Sequence, residues 1–179
     1  MQHIPNVIIV AGEGNKSGKT SAICIIIECY HELQITAVKI TPHFHELTEG
    51  LLPVMECEGH SIYEETNSLS SKDTSRMLRA GASKVYFIKV TDGELLQAFS
   101  NLLANIPIGT PIICESPALA GYIEPGILVI MTSDNQYNKK IIKHLSHTPL
   151  IRFKLEDLKT ISSFPFIFRE GKWTLQSGE

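Results

Sequence analysis

Residues Asn6 to Ala11 read Asn-Val-Ile-Ile-Val-Ala, an apolar run rich in β-branched side chains. Such a run is a strand covered on both faces, as in a parallel sheet, because a strand with one wet face alternates polar and apolar residues. Gly12 and Gly14 follow it, and Ser17 to Leu33 then has the length and apolar density of a largely buried helix. Glu28, His31 and Glu32 mark the solvent side of that helix. Thr36 to Thr41 supplies a second strand. Strand, helix and strand in succession form a βαβ unit with a right-handed crossover. The first forty residues thus commit the chain to an α/β layered fold with a mostly parallel sheet.

The rest of the chain continues the alternation. Pro42 to Asn67 is the least regular stretch and reads as a long functional or mobile loop, with a short strand at Ser61 to Thr66. Ser71-Lys72-Asp73-Thr74 opens a helix that Gly81 ends. Val85–Val90, Pro111–Glu115 and Ile127–Met131 read as core strands, and Leu150–Phe153 as a further one. Gly93–Ala104 and Asn138–Leu145 read as helices. Phe166–Arg169 and Trp173–Leu175 flank Glu170-Gly171-Lys172 as a terminal hairpin. At 179 residues, 43% hydrophobic and 20% charged, the expectation is one globular domain over residues 1–179.

A net charge of −3 gives no electrostatic footprint for nucleic acid. No apolar run nears the roughly 20 residues that span a bilayer, and Val7–Ala11 is too short for a signal-peptide core, so a cytoplasmic protein is expected. Cys24 and Cys29 sit about 140° apart on a helix, which argues against a shared ligand or disulfide. Both read as small core residues.

The strand–turn–helix at the N-terminus carries Gly18-Lys19-Thr20, the second half of the Walker A pattern. Glycines let backbone N–H groups converge on an anion, and the helix N-terminus adds free donors and a positive dipole end. Gly14, Asn15, Lys16, Ser17, Gly18, Lys19, Thr20 and Ser21 are therefore expected to hold the phosphates of ATP or GTP. Lys19 reaches the β- and γ-phosphates and Thr20 the Mg²⁺. Strict spacing would put the first glycine where Glu13 stands, with Gly12 and Gly14 on either side. Lys16 reads equally well as a triphosphate contact or a solvated loop lysine. Glu115 ends an apolar strand and is the candidate catalytic and Mg²⁺-binding acid, with Lys19 its catalytic partner and Thr20 the second metal ligand. The fold expected is a three-layer P-loop NTPase with a mostly parallel central sheet.

Three segments carry a more specific likeness: Asn15–Thr20, Val38-Lys39-Ile40-Thr41-Pro42-His43-Phe44-His45-Glu46, and Lys72-Asp73-Thr74-Ser75-Arg76-Met77-Leu78-Arg79-Ala80-Gly81-Ala82. Together they resemble the molybdopterin-guanine dinucleotide biosynthesis protein B (MobB) family over about the first half of the chain. The resemblance implies a homodimeric ATP- or GTP-binding adaptor with weak hydrolysis that serves a partner enzyme of cofactor biosynthesis. It also implies that Lys39, His43, Glu46 and Asp73 surround the nucleotide and Mg²⁺.

Other constellations remain open at this level. His43, His45, Cys57 and His60 have spacings compatible with a metal site or with a polar loop. The guanine-reading Asn-Lys-x-Asp motif is absent, since Asn138-Lys139-Lys140-Ile141 lacks its aspartate. Asp134 or Asn135 would read a base edge or form a turn. A small-metabolite kinase or ligase using the same loop is the alternative function, with Arg76 able to grip an anion. A non-catalytic partner protein with a vestigial loop is the third.

Overall fold

The computed structural model describes residues 1–12, 17–42, 47–132, 149–161 and 163–176. In chain order these form β1 (Gln2–Gly12), α1 (Lys19–Cys29), β2 (Thr36–Thr41), β3 (Leu51–Cys57) and β4 (His60–Glu65). There follow α2 (Asp73–Arg79), β5 (Lys84–Val90), α3 (Leu95–Leu103), β6 (Ile112–Glu115) and β7 (Ile123–Met131). The last are β8 (Leu150–Phe153), α4 (Leu155–Thr160), β9 (Phe166–Arg169) and β10 (Lys172–Leu175).

Eight strands make one sheet in the order β3-β4-β5-β2-β6-β1-β7-β8, and β9 and β10 make a separate hairpin. The six strands from β5 to β8 pair in parallel, while β3 and β4 are antiparallel to their neighbours. The expected α/β sheet with mostly parallel pairing is therefore what the chain forms. β1 lies between β6 and β7, and Val7 to Ala11 are fully buried, which is why its sequence shows no polar alternation.

Successive side chains on a strand point to opposite faces, so the sheet divides the core into two. On one face Val7, Ile9, Val38, Ile88 and Cys114 pack against Leu95, Phe99 and Leu102 of α3. On the other, Ile8, Val10, Ala37 and Ile113 pack against Ile23, Ile26 and Ile27 of α1, Met77 of α2 and Leu158 of α4. Phe166 and Trp173 of the β9–β10 hairpin join this second cluster. Each fully buried Ile or Phe contributes roughly 1.5–3 kcal/mol.

Four sequence expectations change. Pro42 to Asn67 is not one irregular loop, because β3 and β4 pair across it from Leu51↔Glu65 to Cys57↔His60. The helix expected over Ser17–Leu33 ends at Cys29, and a single 3₁₀ turn, His31–Leu33, follows. Tyr30 stops it by turning its ring onto Phe164, Phe166 and Trp173. Cys29 is exposed and Cys24 half-buried, so neither is a fully buried core thiol. β1 and β7 each begin four residues before the expected strand. The helix expected at Asn138–Leu145 lies outside the described residues, as do Asp134 and Asn135. Among the described residues no helix is long and apolar enough to cross a membrane.

Candidate functional site

Gly18 caps the N-terminus of α1, and its φ of +84° is a left-handed conformation that side-chain-bearing residues adopt only with strain. Its carbonyl accepts the first helical bond, from Ala22 N–H at 2.9 Å. Gly12, at the end of β1, has no room for a side chain. An added Cβ would collide with Ser17 Oγ and come within 3.0 Å of the Lys19 side chain. Among the described residues, one glycine thus ends the strand and another precedes the helix, with Lys19 Nζ donating to Ser17 Oγ at 3.0 Å.

Strand order brings the next groups together. β6 inserts between β1 and β2, and parallel register sets Val10, Glu115 and Lys39 side by side on one face. Glu115, the last residue of β6, is nearly buried and accepts a hydrogen bond from Thr20 Oγ1 on α1 at 2.8 Å. Its other carboxylate oxygen accepts from Lys39 Nζ at 3.2 Å. All three strands point their C-terminal ends at this spot, where parallel α/β sheets bind ligands.

α2 adds Asp73 and Arg76. Asp73 accepts a hydrogen bond from Lys39 Nζ and also faces the Thr20 hydroxyl. Arg76 lies 3.6 Å from Asp73 and donates to Ser21 Oγ at 3.0 Å. Burial alone would push Lys39 down, but the Glu115 and Asp73 carboxylates overcome it and hold the ammonium above its ordinary value. Burial likewise opposes ionisation of Asp73. Its hydrogen bond and charge contact with Lys39, with help from Thr20 and Arg76, keep that carboxyl below the usual range.

These groups line one cleft of about 450 Å³. Of the residues expected there, Ser17, Gly18, Lys19, Thr20, Ser21, Lys39, Asp73 and Glu115 are all on its wall. Gly14, Asn15 and Lys16, with Glu13, fall outside the described residues, as do His43, His45 and Glu46. Arg76 also lines the cleft, and so does Leu155, the first residue of α4, which sequence reasoning missed. Leu155 packs against Gly18: a Cβ there would meet its side chain at 3.1 Å. Nothing in the local sequence marks this leucine, because its position depends on β8 delivering α4 to the mouth of the cleft.

The cleft can hold a polyanion. Lys19, Lys39 and Arg76 are cationic, and α1 directs its N-terminus into the same volume. The Thr20 hydroxyl and the Glu115 and Asp73 carboxylates are hard oxygen donors of the kind Mg²⁺ takes. No group of three or more His, Cys, Asp or Glu able to hold a metal occurs among the described residues, so an ion here would depend on oxygens that a ligand brings. The same statement covers Cys57 and His60. Cys57 is exposed, whereas the buried His60 ring contacts Asn101 Nδ2 through Nε2 at 3.0 Å. Comparison with protein-family models, with curated proteins and with solved structures returns no match for this chain.

Proposed function

We propose that the chain is a Mg²⁺-dependent ATP- or GTP-binding protein with a three-layer P-loop NTPase fold. It would act in the cytoplasm as a weak NTPase or nucleotide-dependent adaptor in cofactor biosynthesis, as the MobB likeness implies. The observation that carries this reading is the convergence of Lys19, Thr20, Lys39, Asp73 and Glu115 on one cleft at the C-terminal ends of β1, β2 and β6. Lys19 would neutralise the β- and γ-phosphates, and α1 would offer them its unpaired N–H groups. Thr20 and Glu115 would hold the Mg²⁺, which supplies charge neutralisation between phosphate oxygens. Glu115 would also orient an attacking water. A homodimer belongs to this proposal, and the β3 edge, with Leu52 and Val54 exposed, is the surface that would suit it.

Fluorescent ATP and GTP analogues titrated with Mg²⁺ test the reading. Lys19→Ala should weaken binding roughly 10- to 100-fold, the worth of charge-assisted hydrogen bonds. Wild-type affinity for both nucleotides in that variant would sink it.

The alternative, a small-metabolite kinase or ligase, is favoured by Arg76, which presents a guanidinium at the cleft beside Asp73. Nucleotide turnover that requires one added metabolite would select it.

A further inference from the structure

Register extends the site beyond the first cleft. Phe87 of β5 stands opposite Lys39 of β2, so both point to the face that carries the cleft. Beyond Lys39 lies a second cavity of about 170 Å³. Leu51 and Phe87 give it apolar walls, Thr48 and Thr74 border them, and exposed Lys72 stands at the rim. Lys39 and Asp73 line this cavity and the phosphate cleft alike. Their ion pair is a shared wall.

We propose that this second cavity binds a small planar ligand with an anionic substituent, coupled to the phosphate cleft through Lys39 and Asp73. The coupling rests on the nucleotide reading above; occupancy of the cavity does not. The volume equals about five or six water molecules at roughly 30 Å³ each, enough for one ring with one substituent. A ring suits the apolar side chains of Leu51 and Phe87 that line the cavity. An anion suits Lys72, which makes no ion pair among the described residues. The Thr74 hydroxyl is already committed, donating to Glu65 at 2.7 Å.

That bond also makes the cavity preformed. Glu65 is a buried carboxylate that accepts from Thr74 Oγ1 and, at 2.9 Å, from Asn67 N–H. Gly50, at φ +100°, leaves room for it: a Cβ there would lie 2.8 Å from Glu65 Oε1. Thr74 is fixed by this arrangement, and with it the adjacent Asp73.

Benzoate is the probe, with benzyl alcohol as its neutral match, read by methyl NMR of the full chain. Saturable shifts at Leu51, Thr48 and Thr74 are expected, with benzoate the tighter ligand. Lys72→Gln should remove that preference, a change of about two- to fivefold. Leu51→Trp, or Phe87→Trp as an independent filling variant, should abolish binding of both probes and leave Mg-nucleotide binding in place. Nucleotide should change benzoate affinity by the same factor as benzoate changes nucleotide affinity. Absence of saturable shifts at these methyls, or unchanged binding in both filled variants, overturns the site. Benzoate binding without reciprocal change removes the coupling. Benzoate binding in a protein that takes no Mg-nucleotide overturns the nucleotide reading alone.

Discussion

Burial alone would lower the Lys39 pKa, but Glu115 and Asp73, facing it from a strand and a helix, raise it above its ordinary value. The reciprocal effect on Asp73 gives a pH signature. Its carboxyl is held below the ordinary value of about 3.9, so the folded protein binds that proton less tightly than the unfolded chain does. The stability it contributes is complete above the ordinary value and is lost as pH falls through the lower, folded-state value. Asp73→Asn should therefore flatten the decline in urea midpoint as pH falls below about 4. An acid limb as steep as that of the wild type would argue that the pair with Lys39 does not persist in solution. At this scale legibility was uneven. Gly18, Lys19 and Thr20 announce themselves by pattern, and Glu115 by ending an apolar strand. Lys39 entered through the family likeness alone, since neither spacing nor periodicity brings it to Asp73, 34 residues away. Leu155 had no signal at all.

Elements were readable where one physical cause set them. β2 occupies Thr36–Thr41 as expected, and β5 starts one residue early. β3 was hidden because it is an edge strand. Pro53 interrupts its pattern, the register shifts between Pro53 and Met55, and Leu52 and Val54 face outward. The early end of α1 was hidden for another reason: Tyr30 is drawn off by rings from residues 164–173. Its hydroxyl donates to the Phe166 carbonyl, and burial pushes the phenol up to about 12. The folded state thus holds the Tyr30 proton more tightly than the unfolded chain. The associated stability is full below about pH 10 and declines as pH rises towards 12. Tyr30→Phe should cost about 0.5–1.5 kcal/mol at neutral pH. It should also remove that alkaline decline, which denaturant unfolding at pH 8 to 11.5 would measure. An unchanged alkaline limb would assign it to other groups.

The whole molecule depends on β1 being accommodated between two strands from the second half of the chain. Between Ile4 and Ile8 β1 advances four residues while β7 advances two, and Pro5, with no N–H to give a ladder, lies inside this bulge. Gly126 of β7 closes against it: a Cβ there would sit 3.1 Å from the Trp173 carbonyl oxygen and closer still to that of Pro5. Gly126→Ala should cost about 1–3 kcal/mol by overpacking and lower Tm by roughly 2–4 °C per kcal/mol. Calorimetry would read the change, and an unaltered Tm would show that bulge and hairpin can yield. The class of fold was legible from alternating strands and helices. The strand order was not, because placing β6 between β1 and β2 depends on pairs as distant in sequence as Val7 and Ile112, and Thr36 and Ile112.

That separation matters while the protein is being made. Val7 to Val10 leave the ribosome before their partners at residues 112–115, which follow more than a hundred residues later. At about 5–20 residues per second, the nascent chain carries this apolar strand without those partners for about 5–20 s. Glu115 of β6 lines the cleft at the end of these strands, so the cleft is among the last features to assemble. The interval is an opening for chaperones to bind, and for aggregation where none does.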